Sequence, residues 1–170
     1  MNEKLKTGQT LSTKLEATVT IKKWLADGGQ GDIYLIDYAG EEKILKWYKK
    51  TAVGEESQMF YDNLLNNIHR GSPDSHFIWP EDITPYNKGQ YGYIMGLLPE
   101  GYYEVDEFMN KNAVFKNYRV MVDAALNLIK AFRILHNAGL FYQDINASNF
   151  AINPNSGDVK IMDNDNVAPS

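Results

Sequence analysis

The stretch LHNAGLFYQDINASNFAINPNSGDVKIMDNDNV, Leu135 to Val167, decides how this chain is read. Two short apolar runs, Phe150 to Ile152 and Val159 to Met162, flank the turn Asn153-Pro154-Asn155-Ser156-Gly157. Around them stand an acid, an amide and a second acid: Asp144, Asn149 and Asp163. A loop carboxylate such as Asp144 can orient a hydroxyl and accept its proton. Asn149 offers a neutral oxygen and Asp163 a charged one. Mg²⁺ takes few protein oxygens and keeps waters and phosphate oxygens, so two protein ligands suit it. Taken singly, each of the three reads more simply as a loop residue whose side chain bonds nearby backbone.

What precedes this stretch changes the weighing. Ala17 to Leu25, Ile33 to Asp37 and Lys43 to Tyr48 are rich in β-branched and aromatic residues and predict three strands. The glycine turn Asp27-Gly28-Gly29-Gln30-Gly31-Asp32 and the tight turn Ala39-Gly40-Glu41 join them into an antiparallel meander. Glu55 to His69 has helical spacing at Met59, Phe60, Leu64, Leu65 and Ile68, and Gly71-Ser72-Pro73 ends it. Phe77 to Pro80 and Tyr91 to Leu98 predict two more strands around Asn87-Lys88-Gly89. Five strands and one helix make a small α+β lobe over residues 1–98, with 1–15 loose or edge-like. Pro99-Glu100-Gly101 breaks the pattern, and residues 99–170 form a second, mainly helical part. Val105 to Met109 is a short helix there. Phe115 to Asn137 is the strongest helix, with Val122, Ala125, Leu126, Ile129, Phe132 and Leu135 as its apolar stripe and Gly139 closing it.

Composition bounds the function classes. The chain has 170 residues, 44% of them apolar and 12% aromatic, enough for a real core and against disorder. A net charge of -5 without a basic stripe gives no reason to expect nucleic acid or anionic membrane as a partner. With no cysteine, disulfides and thiolate metal sites are excluded. The polar N-terminus and the short apolar runs predict neither signal peptide nor membrane span, so a cytoplasmic protein is expected.

Two upstream features carry chemistry. Gly28, Gly29 and Gly31 lie between two strands, whereas a dinucleotide or Walker loop needs a helix directly after the glycines. A strand–glycine–strand flap fits instead, its backbone N–H groups free to approach phosphates; a plain glycine hairpin is the simpler alternative. Lys46 shares a strand face with Ile44 and Tyr48, so it needs an anion or an exit to water. Lys43, Lys49 and Lys50 read as plain solvated charges.

In this order the motifs resemble the protein kinase superfamily, from about Thr18 to Val167, and most of all a divergent bacterial branch. Gly28-Gly29-Gln30-Gly31-Asp32-Ile33-Tyr34 is similar to the glycine-rich loop, and Ile44-Leu45-Lys46 to the strand-three lysine motif. Tyr142-Gln143-Asp144-Ile145-Asn146-Ala147-Ser148-Asn149 is similar to the catalytic loop. Asp163-Asn164-Asp165 stands where Asp-Phe-Gly is usual. The resemblance implies ATP with Mg²⁺, Lys46 on the α- and β-phosphates, Asp144 as catalytic acid/base, and Asn149 and Asp163 as metal ligands. It places Met95 at the gatekeeper position and Gly96-Leu97-Leu98 at the hinge. Leu25, Ile33, Ile44, Ala151 and Met162 would line the adenine slot.

The departures bear on activity. Tyr142-Gln143 replaces the usual His-Arg, Asn146 replaces a lysine, and Asn164-Asp165 replaces Phe-Gly, so a Phe-packing switch is not expected. Glu55 and Glu56 lie early for a partner to Lys46, and Asp62 is the sole acid in the helix that follows. Seven residues follow Asp163, so an excised piece or a mini-kinase is expected. The stripe of Phe115–Asn137 would then lack cover, and a homodimer or partner chain is expected. Serine/threonine-type transfer to a protein hydroxyl is the first function implied. A pseudokinase that binds nucleotide or protein, and a small-molecule kinase of the aminoglycoside phosphotransferase type, are the alternatives.

Overall fold

Alternation of β-branched and aromatic residues sets the first part of the chain into strands. The computed structural model describes residues 4–49, 57–87 and 89–169. Strands β1 (Thr10–Ser12), β2 (Thr18–Asp27), β3 (Gly31–Tyr38), β4 (Glu41–Tyr48), β5 (Pro80–Ile83) and β6 (Gly92–Met95) form one antiparallel sheet in the order β1-β2-β3-β4-β6-β5. The sequence predicts five strands. The sixth is β1, inside the segment read as loose or edge-like, and it is an edge strand: Leu11 faces inward opposite Val19, which pins a polar stretch to the sheet edge. One face of the sheet is a closed core of Val19, Ile21, Tyr34, Ile36, Leu45 and Ile94, none more than 1% exposed, covered by Leu5 and Leu11. Each such aliphatic side chain contributes about 1.5–3 kcal/mol by leaving water. Leaving β1, the chain crosses to the opposite edge: Lys14 N–H donates to the Ile83 carbonyl (2.8 Å) and Leu15 N–H to buried Asp82 (3.3 Å). The sheet is therefore curled.

Helix α1 (Ser57–Arg70) packs on this sheet through Tyr61 and Leu64, and the Tyr61 hydroxyl donates to the Thr84 carbonyl (3.1 Å). Of the predicted stripe, Leu64 is buried, Phe60, Leu65 and Ile68 are half-buried, and Met59 faces water. Glu55, Glu56, Lys50 and Lys88 lie outside the described residues.

The chain divides into two units: one of residues 1–71 and 80–97, the other of 72–79 and 98–170. Phe77 and Trp79 do not make a strand. Their rings are drawn into the second unit's core with Ala131, Leu135, Leu140, Tyr142, Phe150, Ile161 and Val167, and only Pro80 begins β5. That unit holds β7 (Tyr103–Glu104), α2 (Val105–Met109), α3 (Tyr118–Asn137), β8 (Leu140–Tyr142), β9 (Phe150–Ile152), β10 (Val159–Ile161) and β11 (Val167–Pro169). Strands pair as β10-β9-β7 and β11-β8.

Helix α3 starts at Tyr118 and not at Phe115, because the Asn117 side chain caps it by accepting the Val120 N–H (3.0 Å). Its buried face matches the predicted stripe only at Leu135 and at half-buried Phe132. Val120, Ala124, Ala131 and Leu135 are buried, whereas Val122, Leu126 and Ile129 are 38%, 48% and 64% exposed. The small alanines allow close approach to the β9–β10 hairpin: a methyl on Gly157 would lie 2.7 Å from the Val120 carbonyl oxygen.

Candidate functional site

The glycine flap forms where β2 turns into β3. Asp27 pairs with Asp32, and Gly28 N–H donates to the Gly31 carbonyl (2.8 Å), closing a four-residue turn. Two of the three glycines are required by close approach. A Cβ on Gly28 would sit 2.8 Å from the Gly31 oxygen, and one on Gly31 would sit 2.7 Å from the Trp47 oxygen; Gly29 meets nothing within 4 Å. The flap is anchored from outside the motif. The Trp24 indole N–H donates to the buried Asp32 carboxylate (3.0 Å). Lys49 holds the turn through its backbone N–H to Gln30 (3.0 Å), its ammonium to the Gly28 carbonyl (3.1 Å) and an ion pair with Asp27. Lys49 and Lys43, which pairs with Glu81, are thus ion-paired and not plain solvated charges, because each strand places an acid beside them.

Register assembles a face opposite the closed core. Ile33, Lys46 and Tyr93 form one cross-strand row on β3, β4 and β6, and Leu35, Ile44 and Met95 form the next. Lys46 is 4% exposed, with its ammonium 5.8 Å from the Tyr48 ring centre and 5.9 Å from that of Tyr93. Aromatic faces tolerate a cation there at little cost. Leu25 lies at a bulge in β2 and is 41% exposed; Gly96 follows β6.

On the second unit, β8 leads into the loop of Asp144. Asp144 is exposed, and Asn149, 6% exposed, donates its amide to the Asp144 carbonyl (2.9 Å) and carboxylate (3.2 Å). That use of the nitrogen leaves the Asn149 side-chain oxygen as the acceptor end. Asn146 caps the short helical turn Ala147–Asn149, accepting from the Ser148 N–H and hydroxyl (3.2 Å each). Asp163 opens a second short turn, Asn164–Asn166, from a left-handed conformation (φ 50°, ψ 46°). The two loops are joined backbone to backbone: Met162 N–H donates to the Asn149 carbonyl (2.8 Å), and the Tyr142 hydroxyl donates to the Met162 carbonyl (2.7 Å). Ala151 is fully buried on β9.

The second unit's electrostatics are acidic. Burial first, then the Asp163, Asp144 and Asp165 charges, push the Tyr142 phenol far above its ordinary value, against a lowering by Asn149. Burial, then Asp106, Glu107 and Asp163, hold the Glu104 carboxyl above its ordinary value. Burial, the larger cause of both shifts, disfavours any charge; the neighbouring acids alone favour a cation. Asn149 and Asp163 offer hard oxygen donors, so the residues present fit Mg²⁺. No cluster of three or more His, Cys, Asp or Glu side chains placed to hold a metal occurs among the described residues.

The fold has counterparts among solved structures. The kinase domain of Mycobacterium tuberculosis PknI superposes with a TM-score of 0.71 at 18% identity over 99% of this chain and 66% of that one. Vaccinia related kinase 3 gives 0.69 at 17% over 98% of this chain and 53% of the other. The fold is protein kinase-like. Rad53 1–466 in complex with AMP-PNP also matches, with a TM-score of 0.69 at 13% identity over 89% of this chain and 40% of that one. No protein-family model matches the chain. No curated protein matches it either. The chain thus spans between about half and two-thirds of the first two chains it resembles.

On this kinase-like fold the residues predicted from sequence divide between the units. Leu25, Gly28, Gly29, Gly31, Ile33, Ile44, Lys46, Met95 and Gly96 belong to the first; Leu98, Asp144, Asn149, Ala151, Met162 and Asp163 belong to the second. Register brings Ile33, Ile44, Lys46 and Met95 onto one face, and hydrogen bonds join Asp144, Asn149 and Met162. Sequence reasoning missed the anchors Trp24, Asp32 and Lys49 and the pinning bond of Tyr142. The acid Asp32 directly after the last glycine was the available signal. No helix among the described residues is long and apolar enough to cross a membrane.

Proposed function

We propose that the chain acts in MgATP-dependent transfer of a phosphoryl group to a protein hydroxyl, as a serine/threonine kinase-like protein. The observation that carries this is the hydrogen-bonded pair Asp144–Asn149, joined through Met162 to the Asp163 turn on a kinase-like fold. Buried Lys46 and the flap Gly28–Gly31 support it from the first unit.

In this proposal the flap N–H groups and the Lys46 ammonium hold the phosphates. In the first unit Met95 and Gly96 would present hinge backbone to adenine, with Leu25, Ile33 and Ile44 against the ring. Asn149 and Asp163 would hold Mg²⁺, which when bound offsets phosphate charge. Asp144 accepts the acceptor hydroxyl's proton as the oxygen–phosphorus bond forms and the bond from the γ-phosphorus to the bridging oxygen breaks, leaving ADP. The cytoplasm, which supplies ATP, is the compartment we propose.

One observation favours a second reading, a nucleotide-binding pseudokinase. Where the resemblance puts a lysine, Asn146 is spent on capping Ser148, so no side-chain cation stands at that position.

Calorimetry with ATP, with and without Mg²⁺, followed by transfer assays on generic proteins and small alcohols, separates the two. Metal-dependent binding lost in Asp163→Ala is expected. Transfer should fall by about 10²–10⁴-fold in Asp144→Ala while binding is kept. Binding without transfer favours the pseudokinase, and transfer to small alcohols alone moves the acceptor class. Absence of nucleotide binding overturns both.

A further inference from the structure

We propose that Asn164 is a positioning residue: its side-chain amide locks the Asp163 turn, so the metal-side carboxylate is set before any nucleotide arrives. The inference rests on the MgATP reading above and adds a device that the resemblance does not supply.

Asp163 has a positive φ of 50°, a conformation L side chains rarely adopt. Such a residue persists only where its neighbours over-determine it. Here the residue on each side is pinned. Before it, Met162 donates to the Asn149 carbonyl (2.8 Å) and accepts from the Tyr142 hydroxyl (2.7 Å). After it, Asn164 is fully buried and spends both amide hydrogens, one on the Ile78 carbonyl and one on the Ile161 carbonyl, each at 2.8 Å.

These bonds close on themselves. Ile78 N–H donates to the same Ile161 carbonyl (2.9 Å), so Ile78, Ile161 and Asn164 form a ring of hydrogen bonds between segment 72–79, the end of β10 and the turn. A planar NH₂ is the group that can serve two carbonyls from one side chain. Leucine matches Asn164 in size and aspartate in shape, and neither has a donor. A phenyl ring, which the resemblance puts here, would leave the Ile78 carbonyl without this bond. On this chain a hydrogen-bonded lock replaces an apolar residue. The Asp163 carboxylate then stays in place whether or not ligand is bound, and Mg²⁺ meets a pre-set oxygen.

The test uses the full chain and two variants, Asn164→Leu with no donor and Asn164→Ser with one. ATP affinity is measured in excess Mg²⁺ and in EDTA, with thermal midpoints and amide exchange of the ligand-free chain. Asn164→Leu is expected to lose at least tenfold of the tightening that Mg²⁺ gives wild type, with EDTA affinity within twofold. Asn164→Ser is expected to lose less in the same direction. Amides of 162–166 should exchange faster in both, while α3 is unchanged. An unaltered Mg²⁺ tightening in a folded variant overturns the proposal. So does an equal fall of both affinities in step with the thermal midpoint, which marks mere support of the fold. If Asn164→Leu does not fold, Asn164→Ser decides by the same criteria. If wild type shows no Mg²⁺-dependent binding, the MgATP reading fails instead, and amide exchange alone decides whether Asn164 locks the turn.

Discussion

Replacing Gly31 and Gly29 by alanine in separate variants should split stability from ligand binding. At Gly31 the new methyl carbon would lie 2.7 Å from the Trp47 oxygen, 3.1 Å from the Trp47 carbonyl carbon and 3.3 Å from the Tyr48 Cα. All three are backbone atoms of the paired strand β4, so none can swing away as a side-chain end would. Overpacking of that kind costs about 1–3 kcal/mol, and immovable neighbours favour the upper half. The reduced freedom of the unfolded chain offsets about 0.4–1 kcal/mol, leaving a net loss near 2 kcal/mol, roughly. For a chain of this size that lowers the thermal midpoint by about 4–8 °C. At Gly29 nothing lies within 4 Å and φ is not positive, so alanine should leave the midpoint unchanged or slightly raised. The same open side is where phosphate would approach the flap, so Gly29→Ala should weaken ATP binding without weakening the fold. Thermal melts and ATP titration, run side by side, read both effects. Equal midpoints for the two variants would refute the steric assignment; unchanged ATP affinity in Gly29→Ala would refute the flap's ligand role.

Lys46→Met keeps the length and apolar stem of a side chain only 4% exposed, and ATP affinity should fall at least about tenfold by equilibrium titration. Retained affinity counts against Lys46 as a phosphate contact. Asp82→Ala removes a fully buried acceptor of the Tyr38 hydroxyl (2.9 Å) and the Leu15 N–H (3.3 Å), and urea unfolding should show a loss of about 2–3 kcal/mol. Burial and hydrogen bonds to Asp82 and Asp158 push the Tyr38 and Tyr102 phenols up from 10.0 to about 12 each. The folded chain therefore keeps protons that the unfolded chain releases, and this stabilisation, complete below pH 10, is lost as pH rises to about 12. Phenolate absorbance and melts across that window check it; a flat stability profile there contradicts the assignment.

The candidate site's signals were legible because they are local. Glycines between two strand patterns, a lysine at period two among apolar residues, and acids beside short turns all act through nearest neighbours. What failed was where several local choices are nearly equal. Helix α3 carries apolar residues on most of its circumference, so periodicity alone picked Val122, Leu126 and Ile129, while packing chose the face with Ala124 and Ala131. Phe77 and Trp79 looked like strand residues because aromatic side chains favour strands, yet their burial comes from the second unit's core. The N-terminal segment was legible only as loose or edge-like, because Thr10-Leu11-Ser12 has one apolar residue and gains its place as an edge strand from β2.

The sequence by itself determined the α+β class, the β2-β3-β4 meander, the three helices and the set of polar residues available for chemistry, since these follow from backbone propensity and side-chain type. Only the tertiary structure decided that Asp32 and Lys49 anchor the flap and that Asn164 reaches Ile78, 86 positions away along the chain. Those partners lie 8, 21 and 86 positions apart, and a buried polar group's role is set by which carbonyl, carboxylate or amide the fold brings within about 3 Å of it.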